Sequence, residues 1–209
     1  MNAGFSSLTA LKAQLLAEAL RQDTSYDTQI TALGLGVAGA MEKFCNRKFY
    51  RTANDTVIFT ADRESFTVPR YPLESIASIH LKTTDAEGWV QQSSTLIITS
   101  SATSGVVRFG ANLGGETDLI KLTYTGGYYW DITEDDSGSQ PSGSTALPGD
   151  ILFAWILQCK KVWEVMDPVG MKIVPSKNAP QLVGLSLAGL ELVPQVKDML
   201  NGHIRYALD

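Results

Sequence analysis

At 209 residues and 44% hydrophobic, the chain can bury a real core, as one domain or as a domain carrying an insertion. Seventeen Lys and Arg against 22 Asp and Glu leave a net charge of −5, which speaks against a groove that grips nucleic acid by neutralising phosphates. Two cysteines, Cys45 and Cys159, sit among apolar residues and read as small buried hydrophobes, so a disulfide scaffold is not expected.

The start, MNAGFSSLTALKAQLL, lacks the basic residues and unbroken apolar run of a signal peptide, and no stretch approaches the roughly 18 apolar residues of a membrane span. A soluble, cytoplasmically made protein with no membrane partner is the expectation. Leu8, Leu11 and Leu15 recur at helical spacing, with Lys12, Gln14 and Glu18 between them, predicting a first helix over about 8–21 that Ser7 or Thr9 caps. A short polar connector, QDTSY, then folds the next helix back as a helical hairpin.

That second helix is predicted over Asp27–Tyr50, about 35 Å long, with Asp27 as its cap and Ile30, Leu33, Val37, Met41 and Phe44 along one stripe. Gly34, Gly36 and Gly39 interrupt it, each at about 1 kcal/mol against alanine, so burial of the stripe must outweigh them. Glycines here serve close helix packing, or a surface that another copy or a channel approaches.

After Arg51 the pattern turns from helical to alternating: strands are predicted at 56–60, 65–68, 75–82, 88–91, 95–100, 105–110 and 119–125, with turn residues between them. This is an antiparallel β unit set between helices. Residues 131–147 are acidic, polar and flexible in composition and read as a loop that cannot offset its ordering entropy by burial.

Pro148 suits the first turn of a third helix, in which Ile151, Leu152, Trp155, Ile156, Cys159, Val162, Trp163 and Met166 cover most of the circumference. Such a helix is buried on more than one side. Residues 167–191 hold Pro168, Pro175 and Pro180 among apolar residues without period, and read as an extended arm that orders on assembly. A last helix from Pro194 puts Val196, Met199, Leu200, His203 and Ile204 on one face.

The fold class is thus α+β: mainly a bundle of three to four helices (1–51 and 148–209), an antiparallel β unit (52–130) between the second and third helices, a loop (131–147) and a C-terminal arm (167–191). No catalytic constellation is legible. His80 and His203 lie far apart without a spaced ligand set, and neither Gly34-Leu35-Gly36 nor Thr125-Gly126-Gly127 has the spacing or lysine of a phosphate loop. Glu134-Asp135-Asp136 lacks the turn glycine and final glutamate of a calcium loop. No cofactor or metal is expected. Trp89, Tyr128, Tyr129 and Trp130 offer the alternative of a glycan- or protein-binding surface, and a metal enzyme built on the acidic loop is a third reading.

The order of the pieces carries a resemblance. A leading LTALKAQL helix is followed by a helix ending in Met41-Glu42-Lys43-Phe44-Cys45-Asn46-Arg47-Lys48-Phe49, then by Tyr71-Pro72-Leu73-Glu74-Ser75-Ile76 leading into strands. Leu122-Thr123-Tyr124-Thr125-Gly126-Gly127-Tyr128 closes the β unit, Leu147-Pro148 opens the helix to Trp163-Glu164, and Leu192 to Tyr206 forms the end. This set resembles the head-tail connector (adaptor) proteins of tailed bacteriophages, over about three quarters of the chain. The longer β unit, the acidic loop and the arm depart from the compact members.

The resemblance implies a structural virion protein of the neck, assembled in the host cytoplasm, without catalysis. Copies would form a ring, expected to be twelvefold, beneath the portal protein; it would extend the channel for genomic DNA and give a stopper or tail-completion protein its platform. An acidic chain suits a conduit along which DNA slides, and a ring needs two different patches that meet head to tail. Trp155, Trp163, Met166, Val196, Met199, Leu200 and Ile204 are the candidate residues for contact with a neighbour or the portal.

Overall fold

In the computed structural model, which describes residues 8–129, 140–166 and 190–205, the chain divides into a helical unit and a β unit that begins at Asn46. It is an α+β fold. Helix α1 runs over Leu8–Leu15 and stops short of the predicted end: Leu16 N–H still reaches the Lys12 carbonyl, but Ala17 is extended, and a 3-10 turn at Glu18–Leu20 follows. Ser7 lies outside the described residues.

Helix α2 covers Asp27–Phe44, ending with its apolar stripe and six residues short of the predicted Tyr50. Its end is a backbone event, because Asn46 adopts φ 49°, a left-handed conformation that helices use to stop. Asp27 does not cap α2. Tyr26 holds the cap position without a side-chain bond, while Asp23 accepts from Ser25 N–H at 2.8 Å and caps the 3-10 turn before the helix. Asp27 instead meets Lys12 at 2.6 Å, and the same ammonium donates to the Asp23 carbonyl at 2.7 Å, so one nearly buried lysine ties α1 to the start of α2.

Helix α3 spans Gly149–Met166 and α4 spans Pro194–Leu200, with Pro194 in its first turn where a missing N–H costs nothing. Ile30, Leu33, Val37 and Met41 of α2, Ile151, Trp155 and Cys159 of α3, Leu11 of α1 and Val196 and Leu200 of α4 are all buried. Gln158, also buried, accepts from Val193 N–H at 2.9 Å and donates to the Glu191 carbonyl at 3.2 Å, which fixes the approach to α4.

The β unit has strands β1 Thr52–Thr60, β2 Ser65–Thr67, β3 Leu73–Lys82, β4 Val90–Gln92, β5 Ile97–Ser101, β6 Val106–Phe109 and β7 Leu119–Gly126. They form a four-stranded sheet in the order β1-β7-β3-β4 and a three-stranded sheet in the order β2-β6-β5, antiparallel throughout. Register sets the faces. Val57, Leu122 and Ile79 are paired across the first sheet and turn inward, while the next row, Ile58, Lys121 and His80, turns outward. Phe66, Val107 and Phe109 of the second sheet join Ile79, Ile120, Leu122 and Tyr124 of the first in one core.

Part of the predicted loop is ordered. Strand β8, Tyr128–Tyr129, pairs in parallel with β9, Thr145–Ala146, so residues 140–146 belong to the β unit. Gly127 between β7 and β8 has φ 97°, and a Cβ there would lie 2.6 Å from the Tyr50 carbonyl oxygen; only glycine lets these backbones approach. Arg47 follows directly from the end of α2 and lies flat on the Tyr71 ring, 3.3 Å from its centroid, with the Phe49 and Tyr128 rings at 5.0 and 5.3 Å. Its guanidinium donates to the Tyr71 carbonyl.

Candidate self-association surface

The contact residues expected from sequence fall into two groups. Trp155, Val196 and Leu200 are fully buried within the helical unit, where they form its core and present nothing to a neighbour. Trp163, Met199 and Ile204 are partly exposed, and the Trp163 ring meets Tyr26 edge-on at 6.4 Å. Met166 closes α3, and its side chain lies outside the described residues.

What the apolar pattern of α3 conceals is its outer side. Phe153 is 56% exposed, more than any other large hydrophobe among the described residues of the helical unit, followed by Leu20 and Leu35. Alongside α2 runs a groove of about 560 Å³ with Gly36, Gly39 and Ala40 as its floor, Phe44, Leu190 and Leu192 as apolar wall, and Lys43, Glu191 and Lys197 at the rim. Lys197 pairs with Glu191 at 3.0 Å. The glycines that interrupt α2 differ in surroundings: the buried Gly34 accepts at its carbonyl from the Trp155 indole N–H at 2.9 Å, and a Cβ at exposed Gly39 would meet nothing within 4 Å.

Near the start of α3, Asp150 Oδ2 lies 2.7 Å from His203 Nε2, linking this helix to the turn after α4. Partial burial raises the Asp150 carboxyl pKa, but the hydrogen bond and charge of His203, with the Ile151 N–H, outweigh it and hold the group below the usual aspartate value. Burial alone pushes the Cys159 thiol far up.

Of the aromatic residues of the alternative surface, Trp89 and Tyr128 stand apart. Trp89 lies over the Lys121 ammonium at 4.6 Å, whereas Tyr128 sits in the Arg47 cluster beyond the other end of β7, roughly 17 Å of strand away. Trp130 and the acidic run Glu134-Asp135-Asp136 lie outside the described residues. Among the described residues, no group of three or more His, Cys, Asp or Glu is arranged to hold a metal ion, and no helix is long and apolar enough to cross a membrane. His80 has Ser78 Oγ at 3.5 Å as its neighbour.

No protein-family model matches the chain, and no curated protein sequence matches it. Chains of solved structures are similar in fold, two of them as follows. One is a chain from the virion of a native gene transfer agent particle, with TM-score 0.61 and 11% identity over 97% of this chain and 90% of the other. The second, from the neck of an empty gene transfer agent particle computed with sixfold symmetry, has TM-score 0.61 and 12% identity over the same shares. At such identities the likeness is one of fold, and it runs through nearly the whole of both chains.

Proposed function

We propose that the chain is a structural neck protein of a phage-like particle, a head-tail connector that assembles as a ring beneath the portal and carries no catalysis. The observation that supports this most is the fold match along nearly the full length of a chain from a particle neck. The order of sequence motifs points to the same class independently of that match. A neck treated with sixfold symmetry accommodates rings of six or of twelve copies, and twelve is the number this reading adopts.

In this role the ring extends the portal channel. The net charge of −5 lets DNA pass without a phosphate-gripping lining, and the ring offers docking surfaces to the portal and to a stopper or tail-completion protein. Partly exposed Trp163, Met199 and Ile204 are the sequence-derived contact residues available to such partners; Trp155, Val196 and Leu200 act beneath them as support. The test is mass measurement of the purified chain, alone and mixed with isolated portal rings. Stoichiometric decoration of the portal is the expected result, and a chain that never binds the portal overturns the reading.

A further inference from the structure

We infer that neighbouring copies in the ring join by seating Phe153 of one copy in the α2 groove of the next; this rests on the ring-forming role proposed above. The two halves of the contact are on different elements of the same helical unit. The groove is open, about 560 Å³, within the roughly 300–1,000 Å³ of clefts that hold small ligands and so roomy enough for one phenyl ring. Gly39 forms part of its floor, and a Cβ built there meets nothing within 4 Å.

Phe153 has the character of an anchor without a socket. An aromatic side chain 56% exposed on a helix whose Trp155 is fully buried marks a second apolar face on α3. Trp155 directs its indole at Gly34 of α2, and Phe153, two positions earlier, is turned about 200° around the helix from it. Phe153 therefore faces away from the helix that bears the groove. A chain cannot fill its own groove with this residue, so the occupant is supplied by a second copy.

Charge agrees with that occupant. On the Phe153 face, Asp150 lies about one turn before the ring; one of its oxygens meets His203, yet its side chain stays half exposed. On the groove rim Glu191 is paired with Lys197, which leaves exposed Lys43 as the surplus charge. The anion beside the knob thus meets a rim with one cation in excess. Because knob and hole are different patches, each copy uses one on either side, which is the head-to-tail geometry that closes a ring.

Single cysteines placed by Phe153→Cys and Gly39→Cys test the contact in the full chain, since Cys45 and Cys159 are buried. Mixing the two single variants under mild oxidation should give a cross-linked dimer, and the double variant a ladder of oligomers, while either single variant alone stays uncross-linked. Gly39→Leu and Phe153→Ser should keep the melting temperature of the parent or raise it, yet weaken self-association at least tenfold. Absence of the cross-link at every concentration, alone or on portal rings, overturns the inference, as does unchanged association in both variants. A lowered melting temperature in Gly39→Leu with association intact gives the groove to the chain's own residues and also overturns it. Portal decoration by the unmodified chain is read separately, so a wrong interface and a wrong function give different results.

Discussion

The indole N–H of Trp155 donates a 2.9 Å hydrogen bond to the carbonyl oxygen of Gly34, across the buried contact of α3 with α2. Trp155→Ala should cost about 3–5 kcal/mol in urea denaturation, the range for emptying a large aromatic site. Trp155→Phe keeps most of the volume and loses the bond, at about 1–2 kcal/mol. Because Trp155 is core, the Phe variant, once folded, should still associate like the parent, as sedimentation would show.

Arg47 is 4% exposed, stacked on Tyr71 and donating to its carbonyl. Its planar, weakly hydrated cation suits a face-on aromatic contact that a compact ammonium does not reproduce. Arg47→Lys should lower stability by about 1–2 kcal/mol and Arg47→Ala by about 3 kcal/mol or more, read as shifts in thermal midpoint with the helical content of the far-ultraviolet spectrum retained below it.

The Asp150–His203 pair makes one contribution to stability depend on acid. The folded carboxyl pKa lies below its unfolded value near 3.9, so the contribution is complete above that value and lost as the pH falls through the folded one. The stability margin of the parent over Asp150→Asn should therefore be constant from pH 5 upward to pH 6 and shrink below about pH 4. Urea titrations of both proteins, dilute enough to be monomeric, check the sign. A margin that grows on acidification would contradict it.

Neither thiol should react in the folded chain. Cys45 and Cys159 are buried, and the Cys159 thiol is pushed far above its usual value, so almost no thiolate is present at neutral pH. A colorimetric thiol reagent should find none in the native protein and both in guanidinium chloride.

Sequence periodicity located the strands of the main core well because they have one wet and one dry face: the Val57 row points in and the Ile58 row out, which is the alternation that a pattern search detects. Strand order was not legible. β1 and β3 both pair with β7, and nothing in the local pattern encodes that non-sequential pairing. Helix ends were overrun because Ala17 and Asn46 stop α1 and α2 through backbone conformation, which residue spacing does not encode. Residues 140–146 looked too polar to be ordered, yet Thr145 and Ala146 gain order from backbone pairing with Tyr128 and Tyr129.

The contact surface was the least legible part. A helix apolar on every side does not reveal which residues the other helices cover, so Trp155, Val196 and Leu200 stood out for their size and position although they face inward. Phe153, flanked by apolar neighbours in the same run, gave no separate signal. Gly39 did give one, as a glycine in a helix with no turn to make. Exposure distinguishes it from Gly34, which the sequence alone treats as its equal.

The parallel pairing of β8 with β9 has a consequence for how the chain tolerates change. Tyr129 and Ala146 are held in that pair, and Gln140 donates its side-chain bond to the Ser144 carbonyl at 2.7 Å, so a change within residues 140–146 is felt at Tyr128, two positions beyond the end of β7.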